Sequence, residues 1–277
     1  MAWSLDSRLF FFYRAQFALE PGGAAGAVAF TSLLTRGLES AWDEHEGLDG
    51  EIIVSSWIYR GGEQTEIARG TFRFVDDVNE TRYAIDFLFD GSNEKLALQG
   101  IEQPASVVVR HFQDFFNHAP PNARGSRLLK LYPLGDEDRA ATILKSVVRL
   151  GEFRADLRRP NPDTHKLWAD FWKKTGGDSN ADTATISVNN VKGELTQQNV
   201  KDSSNDTALV QAVRMSNAGY GRWAARGLDR EGHPIDVTSQ DTHLRAQIPV
   251  GESQTIEGIT TVFETMSGRL ESQGAVA

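Results

Sequence analysis

The sequence predicts an α+β fold, with mixed, largely antiparallel sheets carrying helices packed on one side, arranged in two halves. Three observations lead to it. Residues 81–89 alternate, with Tyr83, Ile85, Phe87 and Phe89 set against Arg82, Ala84, Asp86 and Leu88, the period of a half-buried antiparallel strand. Residues 24–42 and 106–117 place apolar side chains at helical spacing instead. Clusters of Gly, Pro, Asn and Asp punctuate the chain between such runs.

Taken in order, residues 9–19 form a dense aromatic and aliphatic run ended by Glu20-Pro21-Gly22-Gly23, the pattern of a central strand buried on both faces. A helix over residues 24–42 packs on it through Val28, Leu33, Leu34, Leu38 and Trp42. Residues 51–60, 66–75 and 81–89, separated by Gly61-Gly62 and Asp76-Asp77, read as a meander. Residues 106–117 return to helix, with a stripe of Val107, Val108, Phe112, Phe115 and Phe116. The Pro120-Pro121 loop over residues 119–126 divides the chain into halves 1–125 and 126–277.

In the second half, residues 127–132 read as a strand, 136–146 as a helix and 147–158 as a strand stopped by Pro160-Asn161-Pro162-Asp163. A helix capped by Asp163 or Thr164 carries Leu167, Trp168, Phe171 and Trp172 and ends at Gly176-Gly177. There follow a strand over 183–188, a helix over 206–216 stopped by Gly219, a strand over 220–227 and a turn at Asp229–Gly232. A strand over 244–250 and a helix over 255–270 complete the pattern. The sequence shows no repeat at solenoid periods.

Composition narrows the function classes. The 15 Phe and 6 Trp among 277 residues supply ample apolar surface for a packed core. The absence of cysteine excludes disulfides, thiolate metal sites, iron–sulfur clusters and cysteine nucleophiles. No run approaches the roughly 20 apolar residues that span a bilayer. The apolar residues 9–13 are too few for a signal peptide and are followed by Arg14, so the expected location is cytoplasmic. A net charge of −9 repels a phosphate backbone unless basic residues gather on one face.

Four constellations carry chemistry. His111, Asp114 and His118, at i, i+3 and i+7 on one helical face, form a candidate divalent-metal set, weighed against the solvated face of an amphipathic helix. Asp43, Glu44, His45 and Glu46 are adjacent in sequence and so diverge around a helix. Arg149, Arg154, Arg158 and Arg159, flanked by Lys145 and followed by Lys166, Lys173 and Lys174, make the most basic stretch, beside Trp168 and Trp172. On a strand, Arg154 and Arg158 share one face, an arrangement for holding phosphates, although interleaved Asp156, Asp163 and Asp170 also fit an ordinary salt-bridged surface. Finally, Asn217-Ala-Gly-Tyr-Gly221 precedes Arg222 and Arg226, which emerge on one strand face as an anion-binding candidate.

His233, His243, Asp236, Ser239 and Asp241 contain the residue types of a catalytic triad without an ordering motif. No phosphate-binding loop, nucleophile elbow, zincin helix or dinucleotide fingerprint occurs, so no cofactor is expected.

Several strings of the second half carry a family resemblance. They are the Val147-Val148-Arg149-Leu150 strand, Arg158-Arg159-Pro160-Asn161-Pro162-Asp163, the 205–216 helix, Ala218-Gly219-Tyr220-Gly221, and residues 226–232. This half resembles an uncharacterised bacterial family associated with mobile elements and phage defence. The resemblance implies a genomic setting and supplies no catalytic residue. The leading expectation is a non-enzymatic recognition subunit of such a system that binds nucleic acid or a partner protein. The alternatives are a metal-dependent hydrolase or nuclease using His111, Asp114 and His118, and an assembly subunit of phage origin that forms a homo-oligomer through its sheet edges and terminal helix.

Overall fold

The computed structural model describes residues 7–23, 29–44, 48–58, 64–76, 81–101, 105–159, 171–172, 183–190 and 207–249. The beginning of the helix expected from residue 24, most of the one expected after Pro160, and the helix expected at 255–270 lie outside the described residues. The described residues fall into two compact units, one within Met1–Leu131 and Arg245–Ala277, the other within Tyr132–Leu244. The fold is α+β, and every pairing along the two sheet orders below is antiparallel.

In the first unit the strands are β1 (Ser7–Leu19), β2 (Asp49–Ile58), β3 (Gln64–Asp76), β4 (Thr81–Asp90), β5 (Lys95–Gln99), β6 (Arg127–Pro133) and β11 (Arg245–Pro249). They run in the order β11-β1-β5-β4-β3-β2, with β6 also on β1. Two differences from the sequence reading follow. Residues 95–99 are a strand, short enough to escape a search for longer alternating runs. The final strand, expected in a continuous second half, pairs instead with β1 through Ser7↔Pro249 to Phe11↔Arg245.

Helices α1 (Phe30–Glu44) and α2 (Ala105–His118) supply the core of this unit. Leu33, Leu34 and Leu38 of α1 and Phe112 and Phe116 of α2 bury against Phe72, Ile85, Phe87 and Phe89. The ring of Phe112 meets Phe72 and Phe87 edge-on at 5.1 and 5.3 Å, the favoured aromatic geometry. At the β4–β5 turn the buried Asp90 carboxylate accepts hydrogen bonds from Thr65 Oγ1 at 3.0 Å, Ser92 N at 3.1 Å and Asn93 N at 3.2 Å. These bonds satisfy a group that would be costly to bury alone.

The second unit contains α3 (Glu137–Ser146), β7 (Arg149–Arg158), β8 (Thr183–Asn189), α4 (Ala208–Met215), β9 (Gly221–Leu228) and β10 (Pro234–Thr238). Asp136 caps α3 by accepting from Arg139 N, and Thr207 caps α4 by accepting from Val210 N. The sheet order is β10-β9-β7-β8. Residues 234–238, to which the sequence reading assigned no element, are a strand, as the alternation of Ile235 and Val237 with Asp236 allows. One face of the sheet buries Phe153, Ala155, Leu157, Trp223, Ala225 and Val237 against Leu144 of α3 and Ala212, Val213 and Met215 of α4. Phe153 and Trp223 stack at 6.4 Å. The other face presents the polar residues of the alternation.

Candidate functional site: an arginine zigzag on an open sheet face

Strand parity alone places Arg154 and Arg158 on the polar face of β7, and Arg222 and Arg226 on the polar face of β9, because Phe153, Ala155, Leu157, Trp223 and Ala225 fill the buried face. The register decides how the two pairs interlock. Asp156 lies opposite Arg222, Arg154 opposite Ala224, and Glu152 opposite Arg226. Going down the sheet, the arginines are therefore Arg158, Arg222, Arg154 and Arg226, from alternate strands, one for each two-residue step. Two residues of strand rise about 7 Å, a repeat commensurate with the phosphates of an extended nucleic-acid strand.

Carboxylates are built into the zigzag. Asp156 accepts from Arg154 at 3.1 Å and from Arg222 at 3.4 Å, while Thr185 of β8 donates to it at 3.0 Å. Arg226 reaches Glu152 at 3.5 Å and Asp236 at 3.3 Å. Burial works to raise the Asp156 carboxyl. The hydrogen bonds from Arg154 and Thr185 and the charges of Arg154 and Arg222 outweigh it and hold the group below its ordinary value. The side chains of Arg154, Arg222 and Arg226 are 56%, 79% and 65% exposed. Ion pairs this exposed hold their partners by only about 0.2–1 kcal/mol, so the guanidinium groups can turn to another anion at small cost.

At one end of the zigzag the Arg158 guanidinium carbon lies 5.4 Å from the ring centroid of half-buried Tyr132, within cation–π range. Burial pushes the Tyr132 hydroxyl up, against the lowering effect of the Arg158 charge and hydrogen bond. Thr183, Thr185 and Ser187 continue the exposed face onto β8, opposite Arg158, Asp156 and Arg154.

The structure thus brings together Arg154, Arg158, Arg222 and Arg226. Arg149 is exposed at the start of β7, beyond a register shift between Leu150 and Glu152, and Arg159 is half-buried just past the end of β7. Lys173 lies outside the described residues, as do Lys166, Trp168, Lys174 and His45. Sequence reasoning missed Glu152, Asp236 and Tyr132 as members of this surface. Glu152 shares the parity of Arg154 and was findable, whereas Asp236 and Tyr132 arrive through β10 and β6.

The metal set expected at His111, Asp114 and His118 does not assemble. The His111 ring stacks on Phe74, with centroids 4.3 Å apart, and His118 Nδ1 turns back to the main-chain oxygen of Asp114. Helical spacing put the three on one side of α2, but packing against β3 diverts the first and the helix end engages the last. Among the described residues, the His and acidic group whose ligand atoms lie within 4.8 Å of one another is Asp229, Glu231 and His233. The Asp229 carboxylate there already closes the β9–β10 turn, accepting from Glu231 N at 2.8 Å and His233 N at 2.9 Å. The Ser, His and Asp of residues 233–243 also serve the fold. Asp241 and Thr238 form a capping box, and Ser239 Oγ accepts from Trp223 N at 3.3 Å. Among the described residues, no helix is long and apolar enough to cross a membrane.

A family model described as a domain of unknown function, DUF4747, matches residues 55–267 and so takes in the whole arginine face. No curated protein matches the chain.

Proposed function

We propose that this chain, which belongs to the DUF4747 family, is a recognition subunit that binds the sugar-phosphate backbone of nucleic acid along the β7–β9 face. The observation that carries the reading is the zigzag itself: Arg158, Arg222, Arg154 and Arg226 at successive two-residue steps on one open face of an acidic chain. Guanidinium forks suit phosphate oxygens, and the Thr183, Thr185 and Ser187 hydroxyls alongside add neutral donors. The zigzag residues are arginines, whose guanidinium groups favour backbone contact over base readout. The setting in bacterial phage defence or mobile elements belongs to the same proposal and rests on the resemblance of the second half.

Fluorescence anisotropy with a labelled single-stranded oligonucleotide tests it. Four phosphate contacts give a slope of log affinity against log salt of about −3. In the Arg154→Ala/Arg222→Ala variant the slope falls to about half that value, with affinity lost equally across base sequences. Binding at low salt that is unchanged in the quadruple variant of Arg154, Arg158, Arg222 and Arg226 would sink the reading. So would an absence of binding by the unaltered protein. Retention instead of an acidic protein, abolished by the same variants, would assign the face to a protein partner.

A further inference from the structure

We propose, resting on the reading of the β7–β9 face as a phosphate-backbone surface, that this face selects RNA over DNA, with Asp156 and Thr185 accepting a hydrogen bond from a ribose 2′-hydroxyl. Phosphate binding alone leaves the carboxylates of the face unexplained. A surface that only held phosphates would gain nothing from groups that repel them and compete for the arginines. Yet Glu152 and Asp156 alternate with Arg154 and Arg158 along the polar side of β7, with Phe153, Ala155 and Leu157 buried between them.

The hydrogen bonds at Asp156 decide what the middle of the face can take. Thr185 Oγ1 donates to Asp156 Oδ1 at 3.0 Å. A threonine hydroxyl has one proton, so with that proton committed Thr185 presents only lone pairs to a ligand. Asp156 Oδ1 also accepts from Arg154 Nη2 at 3.1 Å, whereas Oδ2 has Arg222 Nε at 3.4 Å as its partner among the described residues. A carboxylate oxygen with one partner retains acceptor capacity, and the Asp156 side chain is 28% exposed. A ligand atom lodged between Thr185 and Asp156 must therefore be a donor, which a hydroxyl is and a phosphate oxygen is not.

The sheet register sets this acceptor pair beside a phosphate ligand. Thr185, Asp156 and Arg222 stand side by side on β8, β7 and β9, with about 4.8 Å between neighbouring strands. With a phosphate on the Arg222 fork, the adjoining sugar lies over Asp156, one strand away, and its 2′-hydroxyl donates to the carboxylate. The arrangement recurs two rows on, where Glu152 lies between Asn189 and Arg226. DNA lacks the hydroxyl that marks RNA, so its phosphates meet the competing carboxylates without that compensating bond.

Fluorescence anisotropy of the full chain with labelled single-stranded oligouridylate, its 2′-deoxy counterpart and its 2′-fluoro counterpart is the test. The three strands share bases and phosphates, and the 2′-fluoro strand keeps the sugar pucker of RNA without a hydroxyl proton. RNA is expected to bind about tenfold more tightly than either of the others. Asp156→Asn relieves the competition for the arginines with every strand but weakens the acceptor only where a 2′-hydroxyl uses it. Affinity therefore rises more for DNA than for RNA, and the ratio between them falls at least about threefold. Equal affinities for the three strands overturn the proposal and leave the phosphate reading standing, whereas no binding by any strand overturns that reading and the proposal with it. A 2′-fluoro strand that binds as RNA does, or a ratio unmoved in an Asp156→Asn variant shown by circular dichroism to be folded, also overturns the proposal.

Discussion

Asp156 holds the middle of the arginine zigzag, and its neighbours give it two opposed effects. It anchors Arg154 and Arg222 in place, and it competes with any phosphate for them. Asp156→Asn keeps the shape and removes the competing charge, so nucleic-acid affinity is expected to rise about threefold to tenfold, the reverse of the arginine substitutions. An affinity that falls in this variant would show that Asp156 serves chiefly to orient the arginines. The same residue carries a pH signature. Its carboxyl lies below its ordinary value in the folded protein, so its contribution to stability is present above the unfolded pKa of about 3.9 and is lost as pH falls through the lower, folded value. Urea unfolding of the wild type and of Asp156→Asn should therefore show a stability gap at neutral pH that narrows in acid. A gap that stays constant would contradict this assignment.

At the scale of elements, the connection from α4 to β9 sets the register on which the zigzag depends. A π-helical turn, Ser216–Tyr220, follows α4, with Gly219 in the left-handed region at φ 81 and ψ 21. Gly221 then starts β9 so close to β7 that a methyl group there would run into the Asp156 carbonyl oxygen and Leu157 Cα. Gly219→Ala is expected to cost about 1–2 kcal/mol in backbone strain while leaving binding intact. Gly221→Ala is expected to cost about 1–3 kcal/mol and also to weaken binding, because it pushes Arg222 away from its place opposite Asp156. Equal binding by the two folded variants would detach the zigzag from this register. These elements also divide what the sequence can tell from what it cannot. The aromatic run of β1, the alternation of β4 and the stripe of α2 are periodic and local, and Arg154/Arg158 and Arg222/Arg226 follow from strand parity. That β7 and β9 are neighbours, with Asp156 facing Arg222, is a non-local pairing and has no signature in either strand. The stacking of His111 on Phe74, which dissolves the expected metal set, depends likewise on a contact between β3 and α2.

At the scale of the whole chain, the two units differ in how they are threaded. The first is discontinuous: β6 leaves it, β11 returns to it, and both pair with β1. The second is one uninterrupted stretch, Tyr132–Leu244, with its own apolar core around Phe153, Trp223 and Met215 and its own capped helices. A continuous segment with its own apolar core meets the physical requirement for folding alone, and all four zigzag arginines lie within it. A fragment comprising residues 132–244 is therefore expected to unfold cooperatively in urea and to bind a single-stranded oligonucleotide within about threefold of the full chain, with the same salt slope of about −3. A folded fragment without affinity would mean that the phosphate-binding surface requires residues of the first unit, and an unfolded fragment would mean that the second unit's core depends on the first.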